Sequence, residues 1–118
     1  MPKWSHSKKQ VRDALAEACK QVRKALDETD DEEAFDVAFI DADKISYPKY
    51  WTELVPRVRS GGLIMVDNTF SHGRVLDAGN DNPSVIAVRT MNDQAAADER
   101  VELIILPVGD GLTVARKL

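Results

Sequence analysis

The residues best suited to chemistry follow two apolar runs of the chain. Asp41, Asp43 and Lys44 come directly after VAFI, and Asp67 and Asn68 come directly after LIMV. Carboxylate and amide oxygens are hard ligands of the kind that Mg²⁺, Ca²⁺ or Mn²⁺ prefers, whereas zinc favours cysteine and histidine. Lys44 can serve the same site as a general base, because a bound dication disfavours its protonated form. The alternative is structural, since acids at strand ends also cap helices or bind loop amides.

An α/β layer structure would bring these residues together. The apolar runs predict two parallel strands, and FDVAFID is typical of a strand buried on both faces. A third strand and its antiparallel partner follow, joined by the tight turn Gly109-Asp110-Gly111. The four predicted strands cover residues 35–41, 63–67, 101–108 and 112–116. Because ligands of open α/β sheets bind beyond the carboxyl ends of the strands, Asp41, Asp67 and Asn68 should converge.

Three helices are predicted around these strands. The first covers residues 7–26, with an apolar stripe made of Val11, Leu15, Ala18, Val22 and Leu26. The second covers residues 47–58 and stops at Ser60-Gly61-Gly62, with four residues facing inward: Trp51, Leu54, Val55 and Val58. After a polar loop over residues 69–83, the third covers residues 84–97, with four residues available for burial: Val85, Ile86, Val88 and Met91.

Length and composition narrow the class of protein. The chain has 118 residues and a net charge of −4, which fits one small domain and gives no reason to expect a nucleic acid partner. Its single cysteine, Cys19, excludes a disulfide framework and indicates a reduced compartment. No apolar run is long enough to span a bilayer, so we expect a soluble, cytoplasmic protein without a membrane partner.

Five features of residues 35–118 stand out in sequence order: FDVAFIDADK, the spaced Tyr47 and Tyr50, GGLIMVDN, RTMND and RVELIILPVGDGLTVARK. In this order they closely resemble the carboxyl-terminal half of the cation-dependent O-methyltransferases, the family of catechol and caffeoyl-CoA methyltransferases. The resemblance implies part of a Rossmann-like class I methyltransferase sheet, with parallel strands and a C-terminal antiparallel hairpin. Residues 1–34 would form a separate amphipathic helix and acidic loop.

The resemblance also implies a role for individual residues. Asp41, Asp67 and Asn68 fall where the family binds its divalent cation, which would be Mg²⁺ or alternatively Ca²⁺ or Mn²⁺. Lys44 falls on the catalytic base. Asp43 and Tyr50 match positions that contact S-adenosylmethionine. Asp41 would also contact the substrate, as would His72, which stands where plant members have an asparagine.

Two departures from the family pattern matter. The loop after the Asp-Asn pair reads DNTFSHG where the family usually has DNxLWxG, so Phe70 and Ser71 replace Leu and Trp. The upstream half of the family fold, with its glycine-rich cofactor loop, has no counterpart in this sequence. The strand over residues 35–41 would then be a sheet edge with an uncovered face, which favours association with another chain.

Three functions remain open at this point. The first is metal-assisted methyl transfer from S-adenosylmethionine to a small hydroxylated acceptor with vicinal oxygens. The second is a non-catalytic half that acts by forming a homo-oligomer or by pairing with a complementary N-terminal half. The third is a receiver-like signalling domain with Asp41 as the phosphoacceptor, although the acidic pair expected after its first strand is missing.

Overall fold

The computed structural model describes residues 8–27 and 35–118. The chain divides into two compact units, residues 1–30 and 31–118. The first contains the helix α1, and the second contains four strands and two further helices. In chain order the elements are α1 (Lys8–Asp27), β1 (Phe35–Ile40), α2 (Tyr47–Leu54), β2 (Val58–Asp67), α3 (Pro83–Ala97), β3 (Val101–Leu106) and β4 (Leu112–Lys117).

Helix α1 confirms the first predicted helix to within one residue at each end. Its exposed side chains include Lys9, Asp13, Lys20 and Lys24, in agreement with a polar face. Of the predicted apolar stripe, Ala18 is exposed, and the side chains of Val11, Leu15, Val22 and Leu26 lie outside the described residues. The predicted acidic loop over residues 28–34 lies outside them as well.

The second unit is built on a mixed four-stranded sheet with strand order β1-β2-β4-β3. Strands β1 and β2 are parallel, whereas β4 runs antiparallel to both β2 and β3. The α/β class, the parallel first pair and the C-terminal hairpin were therefore predicted correctly. Three strands end one or two residues away from their predicted last residue. Strand β1 ends at Ile40 rather than at residue 41, β3 at Leu106 rather than at residue 108, and β4 at Lys117 rather than at residue 116.

One face of the sheet carries the hydrophobic core. Helices α2 and α3 cover this face and bury a set of side chains made of Ala38, Ile40, Trp51, Val55, Val58, Ile64, Val66, Val88, Met91 and Ala115. Trp51 is 2% exposed, as predicted, and its indole Nε1 donates to Asp98 Oδ2 at 3.0 Å. This bond ties α2 to the residue that follows α3.

The opposite face of β1 is exposed, which corrects the expectation of burial on both faces. Val37 and Phe39 point away from the core and are 53% and 55% exposed. Among the described residues β1 is also an edge strand, because its only sheet neighbour there is β2. The apolar run does form a strand, but among its residues only Ala38 and Ile40 are buried in the described structure. Within the described part of the chain, the predicted edge with an exposed face is confirmed.

The boundary between α2 and β2 differs from the prediction. The α-helix ends at Leu54, a single 3₁₀ turn covers Val55–Arg57, and β2 begins at Val58 rather than at residue 63. Pro56 has no N–H to continue the helical ladder. The glycines of this stretch do not stop a helix, because they lie within the long strand. Gly62 allows a close approach, since a Cβ there would lie 2.6 Å from the carbonyl oxygen of Asp36.

Helix α3 follows the prediction with one exception. Asn82 caps it by accepting from the Ser84 N–H at 2.9 Å, and Pro83 occupies its first turn. Val85, Val88 and Met91 are fully buried, but Ile86 is 44% exposed and does not join the core. The long loop before α3 contains a 3₁₀ segment, Ser71–Leu76, interrupted at His72 and Gly73.

None of the helices in the described ranges is both long and apolar enough to cross a bilayer.

Candidate functional site

The carboxyl ends of β1 and β2 lie side by side, because Ile40 of β1 is level with Val66 of β2. Asp41 follows the first strand and Asp67 is the last residue of the second. The parallel pairing therefore brings the two predicted metal-binding acids to one edge of the sheet. Asp41 is half-exposed, whereas Asp67 and Asn68 are partly buried.

Lys44 lies directly at this edge. Its Nζ is 3.3 Å from Asp41 Oδ1, and it also donates to the Tyr47 hydroxyl at 2.7 Å and to the Ala42 carbonyl at 3.3 Å. Burial alone would lower the pKa of Lys44, but the bonds to Tyr47 and Asp41 outweigh it and raise the pKa above its usual value. In the protein as it stands the amine is therefore charged at neutral pH.

Tyr47 connects the lysine to the second strand. Its side chain is fully buried, and its hydroxyl donates to the backbone carbonyl of Asp67 at 3.0 Å. Burial raises the pKa of this phenol, and the nearby charge of Lys44 opposes the shift only in part. The neutral hydroxyl is thus a fixed link between the two strand ends.

Asp43 and Tyr50, the two predicted cofactor contacts, lie together. The Tyr50 hydroxyl donates to Asp43 Oδ1 at 2.5 Å. Burial would raise the pKa of Asp43, but hydrogen bonds from Ser46 and Tyr50 outweigh it and hold the pKa below its usual value. The pair presents an ionised carboxylate that is oriented by a phenol.

The chain makes a strained loop directly after β2. Asn68, Ser71 and His72 have φ angles of 59°, 47° and 56°, in the left-handed region that non-glycine residues rarely adopt. The N–H of Asn68 donates to Asp67 Oδ1 at 2.8 Å, and the Thr69 carbonyl accepts from Asn92 Nδ2 at 3.0 Å. Asn92 of α3 thus supports this loop.

Asp110 holds the same loop from the β3–β4 turn, and sequence analysis missed it. One carboxylate oxygen accepts the His72 N–H at 2.7 Å, and the other accepts from Asn68 Nδ2 at 3.3 Å. His72, the predicted substrate contact, has a largely exposed imidazole, with Nε2 3.9 Å from Asp110 Oδ2. The Gly-Asp-Gly motif signals only a turn, so nothing in the sequence linked Asp110 to a site far from it in the chain.

The donor set at the strand ends fits a hard cation. Among the described residues no group of three His, Cys, Asp or Glu side chains could hold a metal ion. The residues that would hold a cation at this edge are Asp41 and Asp67, through their carboxylates, and Asn68, through its amide oxygen. Oxygen ligands of this kind suit Mg²⁺, Ca²⁺ or Mn²⁺ and leave positions for a substrate.

Comparison with known proteins gives a consistent result. A sequence model of the O-methyltransferase family matches residues 5–118. The probable caffeoyl-CoA O-methyltransferase 1 of Dictyostelium discoideum is 39% identical over 102 residues, which cover 86% of this chain and 44% of that protein.

Solved structures of O-methyltransferases also match most of this chain over about half of their own length. The O-methyltransferase from Bacillus cereus, in complex with S-adenosylhomocysteine (SAH), has a TM-score of 0.76 and 31% identity, covering 86% of this chain and 47% of that one. The Streptomyces achromogenes O-methyltransferase TomG, in complex with S-adenosylmethionine, has a TM-score of 0.73 and 27% identity, covering 84% and 46%.

The described sheet thus corresponds to about half of a class I O-methyltransferase structure, and the chain spans about half the length of the relatives that it matches. Those relatives bind S-adenosylmethionine or its demethylated product. The family match runs through both units and includes every residue of the site described above. The chain belongs to the S-adenosylmethionine-dependent O-methyltransferase family.

Proposed function

We propose that this chain carries the acceptor and base side of a methyl transfer from S-adenosylmethionine to a hydroxyl of a catechol-like acceptor. The observation that supports this most directly is the position of Lys44 Nζ, 3.3 Å from Asp41 Oδ1 at the ends of two adjacent parallel strands. A base beside a cation-binding carboxylate is the arrangement that deprotonation of a bound hydroxyl requires.

The chain's own residues have distinct parts in this reaction. Asp41, Asp67 and Asn68 would hold a divalent cation, which when bound lowers the pKa of a neighbouring hydroxyl. Lys44 Nζ, once uncharged, accepts the hydroxyl proton. The acceptor oxygen then forms a bond to the methyl carbon while the carbon–sulfur bond breaks, and its electron pair stays on sulfur to give S-adenosylhomocysteine.

The raised pKa of Lys44 makes this role conditional. The bonds to Tyr47 and, to a smaller extent, to Asp41 raise the pKa of Lys44 and favour the charged amine, so the lysine can act as a base only when this stabilisation is offset. A cation on Asp41 would remove the smaller, Asp41 part of the stabilisation and add a like charge nearby. We therefore expect cation binding to lower the pKa of Lys44 and so to favour the uncharged amine that can act as a base.

The cofactor and the acceptor each have candidate contacts in this chain. Asp43, oriented by Tyr50, is suited to accept hydrogen bonds from a hydroxylated or amino group of S-adenosylmethionine. His72 is exposed on the strained loop and could contact the acceptor. Vicinal oxygens are favoured because two neighbouring oxygens can share one cation.

Calorimetry and product analysis test the proposal together. The chain would be titrated with S-adenosylmethionine in the presence of Mg²⁺, then incubated with catechol or caffeoyl-CoA and analysed by mass spectrometry for an added methyl group. K44Q should abolish methylation without abolishing cofactor binding. K49Q, which alters an exposed lysine of α2, should leave both unchanged. Absence of binding heat at millimolar cofactor would exclude catalysis by this chain alone.

A second candidate function is a non-catalytic half that works only in an assembly. The exposed apolar residues on the open face of the sheet favour it, since Val37, Phe39 and Ile104 are each more than half exposed. The occupant would be a second copy or a complementary N-terminal half. Light scattering over a wide concentration range tests self-association, and a monomer throughout would argue against the homo-oligomer.

A further inference from the structure

We propose that Asp110, in the β3–β4 turn, is a positioning residue that orients the amide of Asn68 as a cation ligand. This inference depends on the cation site proposed above. Asp110 is not at the end of either parallel strand, and its side chain is only 14% exposed. It therefore acts on the site through Asn68 and the loop rather than as a freely accessible ligand.

The chemistry of the two side chains fixes the direction of the amide. An ionised carboxylate only accepts hydrogen bonds, whereas an asparagine presents a donor nitrogen and an acceptor oxygen. Asn68 places Nδ2 3.3 Å from Asp110 Oδ2. A flipped amide would set its oxygen against the carboxylate and would be repelled, so Oδ1 must face away from Asp110. A cation needs that oxygen.

The turn also fixes the backbone that carries Asn68. Asp110 Oδ1 accepts the His72 N–H at 2.7 Å, and the carbonyl of Asp110 accepts the Phe70 N–H at 3.0 Å. The carbonyl of Gly111 accepts the Thr69 N–H at 3.2 Å. These bonds restrain a loop in which Asn68 and His72 both have positive φ angles. One acidic side chain thus supports both the loop and the ligand direction.

The substitution D110N separates the support of the loop from the orientation of the Asn68 amide. Its remaining oxygen should stay with the backbone N–H of His72, because a backbone donor cannot turn away. The new NH₂ group would then face Asn68, whose amide must flip to present its own oxygen. D110N therefore keeps the shape of the turn but withdraws the Asn68 oxygen from the cation.

The experiment measures Mn²⁺ affinity of the full chain by electron paramagnetic resonance. D110N should weaken Mn²⁺ binding by about 10-fold to 100-fold, the usual loss when a partner that orients a metal ligand is removed. D77N is the matched control, because it also removes one negative charge, here from the exposed part of the loop that follows Asn68, where Asp77 accepts from the Gly79 N–H. Its Mn²⁺ affinity should stay within about twofold of the original, since exposed, distant charges are screened.

A second readout does not need the cation. In ¹⁵N spectra, D110N should shift the side-chain NH₂ signals of Asn68 while keeping slow hydrogen exchange at the His72 N–H, and D110A should accelerate that exchange. D77N should do neither. Equal Mn²⁺ affinities of D110N and D77N, or unmoved Asn68 signals, would overturn the role of Asp110. If the unaltered chain binds no Mn²⁺, the proposed cation site fails, and the NH₂ signals alone decide whether Asp110 orients Asn68.

Discussion

The hydroxyl of Tyr47 donates to the backbone carbonyl of Asp67 at 3.0 Å and accepts from Lys44 Nζ at 2.7 Å. Tyr47 lies at the start of α2, Lys44 just before it, and Asp67 at the end of β2. A single buried phenol therefore joins the candidate base to the end of β2, where Asp67 and the following Asn68 are candidate metal ligands. The partly exposed lysine is thus held by a residue of the packed core.

Replacing Tyr47 with phenylalanine tests this link. Y47F keeps the ring but leaves a buried carbonyl and an ammonium without this hydroxyl, so the free energy of unfolding should fall by about 1–3 kcal/mol. Urea denaturation measures it. Y50F is the comparison, because it removes a hydroxyl bound to the less buried Asp43 and should cost about 1 kcal/mol or less. Equal losses in the two variants would contradict the special role of Tyr47.

Much of the site could be predicted because it depends on local sequence and on one rule of sheet geometry. The apolar runs before Asp41 and Asp67 indicated parallel strands, whose ends meet at one edge. The spacing of Asp41 and Lys44 within one short stretch predicted that the two side chains would lie close together, and their 3.3 Å contact agrees with this. The role of Lys44 as a base stays a prediction.

What could not be predicted depends on partners distant in the sequence. Asp110 reaches Asn68 across 42 residues, and a Gly-Asp-Gly turn carries no sign of that contact. The start of β2 was missed for a similar reason, because Val58 becomes a strand residue through its pairing with Phe35. An apolar run alone cannot tell which of its faces will be covered. The uncovered face was expected only from the resemblance, and the structure shows that Phe39 lies on it.

The close approach at Gly62 gives a second prediction. A Cβ there would lie 2.6 Å from both the Asp36 carbonyl oxygen and Val58 Cγ1. Backbone atoms of a paired strand cannot yield easily, so G62A should lower the free energy of unfolding by about 1–3 kcal/mol. Thermal or urea unfolding measures the change.

Gly79 provides the matched control for this substitution. A Cβ at Gly79 would meet only Asp77 Oδ1, at an ordinary 3.4 Å, and the residue is exposed in a loop. G79A should therefore be close to neutral. A G62A variant as stable as G79A would show that β1 can move away from β2 at little cost.

A third prediction concerns acid sensitivity. Hydrogen bonds from Arg100 lower the pKa of Asp98 from 3.8 to about 2, and Trp51 contributes a further bond. Because the folded-state pKa is the lower one, the stabilisation is complete above about pH 5 and is lost as the pH falls from about 4 to 2. Arg100 is half-exposed, so we expect an effect of about 1 kcal/mol or less.

The variant D98N isolates this contribution from the other carboxylates. Its amide oxygen can still accept from Trp51, but it has no proton to gain in this range. The difference in unfolding free energy between the original chain and D98N should therefore shrink steadily between about pH 4 and pH 2. A difference that is independent of pH would show that the Asp98–Arg100 pair does not stabilise the fold through its charge.

The open face of the sheet gives the last prediction. Phe39 is 55% exposed on an edge strand, where apolar side chains and unpaired backbone groups favour contact with another chain. If this face forms a contact between copies, F39E should weaken self-association, because the interface would have to bury a charge. Sedimentation velocity over a wide concentration range would show the variant shifted toward the monomer.

Ile86 supplies the control, since it is also apolar and exposed, at 44%, but lies on α3 rather than on the open face. I86E changes the net charge of the chain by the same amount as F39E. A shift in F39E alone would identify the open face as the interface, because general charge repulsion would act on both variants. Equal shifts would mean that repulsion, and not this face, controls association. If the unaltered chain is monomeric throughout, the face would need a different occupant, and a complementary N-terminal half becomes the remaining candidate.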